Sequence, residues 1–261
     1  MRDAMEWLDE QQRVDDLALF LDFDGTLAPI VERPDDARAL DGICELVEAV
    51  AAVIPVAVIS GRGLDDIMER LGARGIYYSG SHGLEMEGPD GTRRELDELR
   101  ALVPQIDQQE ARLRHRFAEV EGVEIERKRY GVAVHFRRRP EAQRKVEEAV
   151  EQAVRSSEGL KWETGKMVRE VQPDVDLHKG TALRSIWGQI DPDGHRRPLY
   201  IGDDRTDEDA FETIADGGVG ILVSDAPRPS AASLRLADPR RVREFLKALA
   251  AGIGAISSDQ E

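Results

Sequence analysis

Cysteine is all but missing from this chain. Cys44 is the only one in 261 residues, which excludes an internal disulfide and fits a reducing cytoplasm. Its place in an apolar helical pattern reads as a small core residue. Positive charge is also short. Lys and Arg total 36 against 52 Asp and Glu, a formal net charge of −16, which argues against nucleic acid and anionic membrane as partners but leaves room for a locally basic pocket. No apolar run approaches the length of a membrane-spanning helix. Met1 to Trp7 lacks the apolar stretch of a secretory leader, so none is expected and a cytoplasmic location is. No internal repeat is present. What remains, 41% hydrophobic and 34% charged residues, is ordinary for a globular protein. At this length a single core usually stops growing, so one large domain or two smaller ones are expected.

One stretch organises the rest: Leu17-Ala18-Leu19-Phe20-Leu21-Asp22-Phe23-Asp24-Gly25-Thr26-Leu27. A short apolar run without polar alternation reads as a strand buried on both faces, as in a parallel sheet. Residues i and i+2 of a strand point the same way, so Asp22 and Asp24 leave its carboxyl end together. That edge of an open α/β sheet is where ligands bind. Gly25 lets the backbone turn away and expose its amides. Two carboxylates this close repel unless a cation or proton separates them, and oxygen ligands of this kind suit Mg²⁺. The plainer alternative is a strand that ends in a solvated turn.

Buried strands and helices then alternate. Helical spacing over Leu40 to Val53 leads to a strand, Pro55 to Ile59, ending in Ser60-Gly61-Arg62; a helix over Leu64 to Leu71 leads to Ile76-Tyr77-Tyr78 and the small-residue loop Ser79 to Glu85. This grammar predicts a doubly wound, Rossmann-like parallel sheet of the α/β class. The middle of the chain differs. A long amphipathic helix from Leu96 to Phe117 precedes a hairpin (Val123 to Glu126 with Gly131 to Arg137), a helix from Pro140 to Arg155, and a second hairpin (Leu160 to Glu163, a Thr164-Gly165 turn, Met167 to Val171). Helix–hairpin–helix–hairpin is an α+β unit inserted in the α/β pattern. The expected organisation is residues 1–100 as the first part of the core, 101–172 as the insertion and 173–261 as the second part. The α/β pattern resumes with a helix over Leu177 to Ile190, a strand at Pro198 to Ile201 ending in Gly202-Asp203-Asp204-Arg205-Thr206-Asp207, and a closing helix over Arg241 to Ala251, ahead of a polar tail from Ile256 to Glu261 expected to fray.

Four polar groups therefore sit at ends of α/β elements: Asp22/Asp24, Ser60, Lys179 and Asp203/Asp204/Asp207. Each has a plain alternative: a tight turn at Ser60, a solvated Lys179, a helix cap at Asp204 to Asp207. All four on one parallel sheet are what phosphoryl transfer needs. A carboxylate nucleophile splits a slow hydrolysis into two steps, a metal ion neutralises charge, and a lysine and a hydroxyl grip the phosphoryl oxygens. A second carboxylate at i+2 can protonate the leaving oxygen and later activate water.

Asp22-Phe23-Asp24-Gly25-Thr26, Ser60-Gly61-Arg62, Lys179-Gly180 and Gly202-Asp203-Asp204-x-x-Asp207 resemble, in order, the four motifs of the haloacid-dehalogenase-like (HAD) phosphatases. The resemblance implies Asp22 as nucleophile, Asp24 as general acid/base, and Gly25, Thr26, Ser60, Gly61 and Lys179 around the phosphate. It implies Mg²⁺ held by Asp22, the Asp24 carbonyl and Asp203, with Asp204 and Asp207 behind them, and a C2-type cap as the insertion.

A narrower resemblance is carried by Ser81-His82-Gly83-Leu84-Glu85, Glu126-x-Lys128 with His135-Phe136-Arg137, and Gly165 to Pro173. These are similar to the trehalose-6-phosphate phosphatase family, though Gln172 stands where arginine is common and Phe136 where tyrosine is. This resemblance implies hydrolysis of trehalose 6-phosphate, with Arg62, His82, Gly83, Glu85, Glu126, Lys128, Lys166 and Glu170 binding substrate. The last four suit sugar hydroxyls if they alternate on hairpin strands; as alternatives they form cross-strand ion pairs on a solvated face, and His82 is structural. A phosphatase of sucrose or glucosylglycerate type, or a non-catalytic sugar-phosphate regulator, are the competing functions. The partner expected is a small sugar phosphate, and the expected state a monomer.

Overall fold

The computed structural model describes residues 1–258 apart from residues 32, 96 and 176. The expected helix start at Leu96 and the last three residues of the expected frayed tail lie outside the described residues. The chain forms two compact units, Met1–Arg94 with Leu177–Glu261, and Glu95–Asp176.

The first unit contains β1 (Arg2–Asp3), α1 (Ala4–Asp9), β2 (Leu17–Leu21), α2 (Ile43–Ala51), β3 (Val56–Ile59), α3 (Leu64–Leu71), β4 (Tyr77–Gly80) and β5 (Glu85–Glu87). Strand β6 (Arg93–Glu95) runs into the second unit, which holds α4 (Asp97–Phe117), β7 (Glu124–Lys128), β8 (Gly131–His135), α5 (Gln143–Arg155), β9 (Leu160–Gly165) and β10 (Val168–Pro173). The chain returns through α6 (Lys179–Ile190), β11 (Arg197–Gly202), α7 (Glu208–Thr213), β12 (Val219–Val223), β13 (Leu234–Leu236) and α8 (Pro239–Ser258).

The first unit is a nine-stranded sheet ordered β1-β13-β12-β11-β2-β3-β4-β5-β6. Neighbours from β1 to β4 are parallel and β5 turns back against β4. β2 shows why the apolar run lacks alternation. Leu17, Leu19 and Leu21 enter one core with Ile43 and Val47 of α2 and Phe245 and Leu249 of α8. Ala18 and Phe20 enter the other, with Leu183 and Ile186 of α6 and Phe211 of α7. Both faces are apolar because both are covered, each fully buried Leu or Phe stabilising by roughly 1.5–3 kcal/mol. β2 lies between β3 and β11, and the chain leaves it to one side and returns on the other. That is the topological switch point of a doubly wound sheet.

The sequence pattern gave no sign of β1 and α1. Asp3 caps α1 by accepting from the Met5 N–H at 2.7 Å, Ala4 and Leu8 are buried, and the two-residue β1 pairs with β13.

The second unit is an antiparallel sheet ordered β7-β8-β10-β9, with α4 against β7, β8 and β10 and α5 against β9 and β10. It begins at Glu95 and ends at Asp176, wider on both sides than the 101–172 read from the pattern. One turn differs from expectation. Thr164 pairs with Arg169 and Gly165 with Val168, so the connection is Lys166-Met167 rather than Thr164-Gly165. Extending both strands leaves a two-residue loop, which matches strand twist well, and Met167 adopts φ 62 within it.

Candidate active site

The carboxyl end of β2 delivers Asp22 into the interior. Its N–H continues the ladder to the Ile201 carbonyl at 2.9 Å, and its side chain is buried. The chain then folds over Phe23, whose carbonyl accepts from the N–H groups of Thr26, Leu27 and Ala28. Gly25 sits at φ 83, and a Cβ there would overlap the Asp203 carboxylate. Only glycine lets the first and fourth motifs approach this closely.

Lys179 opens α6. A cation at a helix N-terminus opposes the helix dipole, and two buried carboxylates compensate. Lys179 Nζ donates to Asp22 Oδ1 at 2.6 Å and to Asp207 Oδ1 at 2.7 Å. Side-chain exposures are 4% for Lys179, 5% for Asp22 and 0% for Asp207. Asp207 also accepts from the Tyr200 hydroxyl at 2.6 Å and, through Oδ2, from the Asp204 N–H at 2.9 Å. Both its oxygens are thus engaged.

The charges are crowded. Burial pushes the Asp22 carboxyl up to about 8, with Lys179 opposing and Asp207 and Asp203 reinforcing the rise. Burial and the Asp207 charge push Asp203 up to about 7. Burial works against the Lys179 ammonium, but Asp22 and Asp207 outweigh it and hold its pKa above the ordinary range. The burial cost thus falls on the carboxylates and the lysine stays charged.

The second motif lies beside the first. Ser60 is buried, and its Oγ accepts from the Arg62 N–H at 3.2 Å. Arg62 turns to Asp24: Nε donates to Oδ2 and Nη2 to Oδ1, both at 2.6 Å. The sequence reading placed Arg62 among the substrate ligands; here its guanidinium grasps the second carboxylate of the first motif. The Ser81 to Gly83 loop is stitched to the same place, with Ser81 N–H to the Arg62 carbonyl at 2.6 Å and His82 N–H to the Ser60 carbonyl at 3.1 Å. His82, at φ 58, lays its ring so close to Gly61 that a Cβ there would lie 2.8 Å from Cε1 and Nε2. Gly83 approaches Ala182 of α6, and Glu85 is buried. The Thr26 Oγ1 is buried with no hydrogen-bond partner among the described residues.

Asp22, Asp203 and Asp207 lie with one oxygen of each within 4.8 Å of the others. Asp207 is committed to Lys179, Tyr200 and a backbone N–H, so Asp22 and Asp203 are the carboxylates available to a cation. The all-oxygen donor set and the raised carboxyls fit a hard divalent ion. Asp204 does not join them: it caps the following turn, accepting from the Arg205 N–H at 2.6 Å.

Of the residues read as sugar ligands, four belong to the second unit. Lys128 Nζ donates to Glu170 Oε1 at 2.6 Å, and Glu126 Oε2 meets His135 Nε2 at 2.7 Å. Register places Glu126, Ala133, Glu170 and Glu163 in one row across the sheet, so Glu126 and Glu170 share a face. Lys166 is not on a strand; it stands in the turn.

Comparison with known proteins separates the candidate families. The trehalose-phosphatase family model matches residues 20–240. The chain belongs to the trehalose-phosphatase family. It is 42% identical over 247 residues to a trehalose-phosphate phosphatase of Mycobacterium marinum, covering 92% of this chain and 63% of that one. It is 44% identical over 241 residues to the trehalose-phosphate phosphatase of Mycobacterium tuberculosis, covering 89% of this chain and 61% of that one. It therefore spans about three fifths of the length of these relatives. Among solved structures it is similar to a trehalose-6-phosphate phosphatase related protein (TM-score 0.73, 25% identity, 94% of this chain and 100% of that one). It is also similar to the trehalose-6-phosphate phosphatase of Aspergillus fumigatus (TM-score 0.66, 25% identity, 95% and 98%). The Rossmann-like HAD core with an inserted α+β unit is the architecture they share.

Within this trehalose-phosphatase fold, two neighbours of the site escaped sequence reading. Tyr200 lies inside the apolar run of β11, where an aromatic reads as core; nothing local signals that its hydroxyl reaches Asp207. Arg228 Nη2 donates to the carbonyls of Asp203 and Asp204 at 3.0 and 3.3 Å, and its Nη1 to Glu208 at 2.9 Å, which braces the fourth motif from a loop 24 residues further on.

Proposed function

We propose that the chain is a Mg²⁺-dependent phosphomonoesterase that hydrolyses trehalose 6-phosphate to trehalose and phosphate through an aspartyl-phosphate. The observation that carries this reading is Lys179 bridging Asp22 and Asp207 beside Asp203 at the switch point of the sheet. Asp22 is the nucleophile. Lys179 fixes one of its oxygens and offers positive charge to the phosphoryl group. Ser60 and the Gly25-Thr26 and Gly61 backbone line the phosphate, and Asp24 carries the proton between leaving group and water. Asp22 and Asp203, with the Asp24 carbonyl, hold Mg²⁺, which neutralises charge on the phosphoryl oxygens when bound. Asp207 keeps Lys179 in place, and Asp204 anchors the loop.

The inserted unit serves as the cap. Glu126, Lys128, Lys166 and Glu170 read the sugar hydroxyls through charge-assisted hydrogen bonds, with His82, Gly83 and Glu85 on the core. The Lys128–Glu170 and Glu126–His135 pairs hold these groups ready, to be exchanged for hydroxyls when substrate arrives. The charge balance supports a partner other than nucleic acid or membrane, and the single cysteine fits a cytoplasmic enzyme; its partner is a small sugar phosphate and its proposed state a monomer. No helix among the described residues is long and apolar enough to cross a membrane.

The test is phosphate release from a panel of sugar phosphates (trehalose, sucrose, glucosylglycerate and glucose phosphates) with and without Mg²⁺. Preference for trehalose 6-phosphate by at least tenfold in kcat/KM is expected. Equal rates across the panel would reject the substrate assignment, and no release from any would reject the enzyme.

A further inference from the structure

Arg62 turns its guanidinium back toward the first motif. Its guanidinium faces Asp24 in a two-bond fork, Nε to Oδ2 and Nη2 to Oδ1, both at 2.6 Å. The third nitrogen, Nη1, donates to Asp66 Oδ2 at 3.1 Å, and the guanidinium carbon lies 5.8 Å from the centre of the Phe23 ring. Asp66 is held in turn: its Oδ1 accepts from Arg70 Nε at 2.7 Å, and Arg70 Nη1 donates to the carbonyls of Asp35 and Ala37 at 3.1 and 2.9 Å. The backbone of Arg62 is pinned by Ser60 Oγ and by the Ser81 N–H. Its side chain is 13% exposed, that of Asp24 36%. The arginine is thus fixed by its own neighbours, and the more exposed carboxylate takes its orientation from the arginine.

We infer that Arg62 is a positioning residue for Asp24 in the second half-reaction, not a ligand of the sugar. This rests on the proposed role of Asp24 as acid and base. In the first half-reaction Asp22 forms a bond to phosphorus, the bond from phosphorus to the sugar oxygen breaks, and that oxygen takes the proton of Asp24. Asp24 is then a carboxylate in the fork of Arg62. In the second half-reaction a water oxygen bonds to phosphorus, the phosphorus–Asp22 bond breaks to restore the Asp22 carboxylate, and the water proton passes to Asp24. The fork fixes the plane of the accepting carboxylate, and that plane decides which water is deprotonated.

The experiment uses 4-nitrophenyl phosphate, whose nitrophenolate departs without needing an acid and which carries no sugar. Arg62→Ala, Arg62→Lys, Asp24→Asn and the Asp24→Asn/Arg62→Ala double variant are compared by quenched flow with Mg²⁺. Arg62→Ala is expected to lose about 10–150-fold in kcat, the rate equivalent of one charge-assisted hydrogen bond, with KM falling in step and kcat/KM nearly unchanged, because only the second half-reaction is slowed. It is expected to release close to one nitrophenolate per site in a burst while phosphoenzyme accumulates. Arg62→Lys, which keeps the charge but not the fork, should resemble Arg62→Ala. The double variant should be no slower than Asp24→Asn alone, because Arg62 acts through Asp24.

Unchanged turnover of the aryl phosphate in Arg62→Ala, with loss confined to trehalose 6-phosphate, would overturn the inference in favour of a sugar ligand. Multiplied losses in the double variant, full rescue by lysine, or a fall in kcat without a burst would overturn it too. Asp24→Asn separates the two levels. If it shows neither slowing nor burst, the acid/base reading fails and the inference with it. If it does and Arg62→Ala does not, only the inference fails.

Discussion

Replacing Lys179 by methionine tests whether its ammonium is what permits two carboxylates in this interior. Methionine keeps the length and apolar stem of the side chain and removes only the charge and its three donors. Asp22 then loses its 2.6 Å partner, and Asp207 keeps Tyr200 and the Asp204 N–H but no cation. Side-chain exposures of 4%, 5% and 0% leave solvent little share in screening the three groups. Breaking a buried ion pair by removing one partner costs about 3–5 kcal/mol. For chains near this size each kcal/mol moves Tm by about 2–4 °C, so a fall of roughly 6–20 °C is expected. Differential scanning calorimetry with excess chelator measures it. The Lys179→Met/Asp207→Asn variant, which also removes the Asp207 charge, should recover most of the loss at neutral pH, because the Asp22 carboxyl, already pushed up to about 8 by burial, takes up a proton once the lysine is gone. If Lys179→Met melted within about 2 °C of wild type, these carboxylates would not depend on the lysine for their neutralisation. Recovery of stability without recovery of turnover in the double variant is the expected pattern, since the lysine also serves the phosphoryl group.

Other perturbations reach other parts of the proposal. Asp22→Asn should abolish turnover of trehalose 6-phosphate while leaving the circular dichroism spectrum unchanged, because phosphomonoester hydrolysis needs accelerations up to roughly 10²¹-fold and an amide is no substitute nucleophile; more than a few per cent residual kcat, with deamidation excluded by mass spectrometry, counts against it. Excess chelator should remove activity and Mg²⁺ restore it, since a phosphate dianion beside Asp22 and Asp203 demands a cation; full activity in protein shown to be metal-free would reject the metal. Glu170→Ala and Glu126→Ala should each lower kcat/KM for trehalose 6-phosphate by about 10–150-fold and leave 4-nitrophenyl phosphate nearly unchanged. Parallel losses on both substrates, with a lower Tm, would make these residues cross-strand ion pairs and nothing more.

The alternation of buried strands and helices was enough to read the parallel sheet, because a strand covered on both faces leaves an unbroken apolar run such as Leu17 to Leu21. The insertion was legible for the opposite reason, its strands alternating as half-buried strands must. The acidic residues that the structure gathers, Asp22, Asp203 and Asp207, could be picked out because each stands at the end of an element. What escaped depends on distance along the chain. Arg62 and Asp24 are 38 residues apart, and no local pattern says that the guanidinium turns back to the first motif instead of outward. Tyr200 hides a polar atom in an apolar strand. Lys166 was misplaced by the turn alone: moving the turn two residues along the chain, from Thr164-Gly165 to Lys166-Met167, took Lys166 from strand to turn. The helix at Ala4–Asp9 is too short for its periodicity to show, and its sheet partner β1 has two residues.

The sheet's margins bear on how the protein behaves at high concentration. Nine strands in one sheet leave two outer strands whose unpaired backbone groups are a template for other chains. One margin is Arg2–Asp3, two residues long and exposed. The other is Arg93–Glu95, whose Arg93 and Arg94 are exposed, and Arg93 is tied to Asp65 and Glu87. An incoming strand would find almost no length to pair with on the first side and would have to desolvate two guanidinium groups on the second. The long apolar strands of this sheet lie inside these margins, so neither of its two ends offers another chain a long apolar edge to pair with.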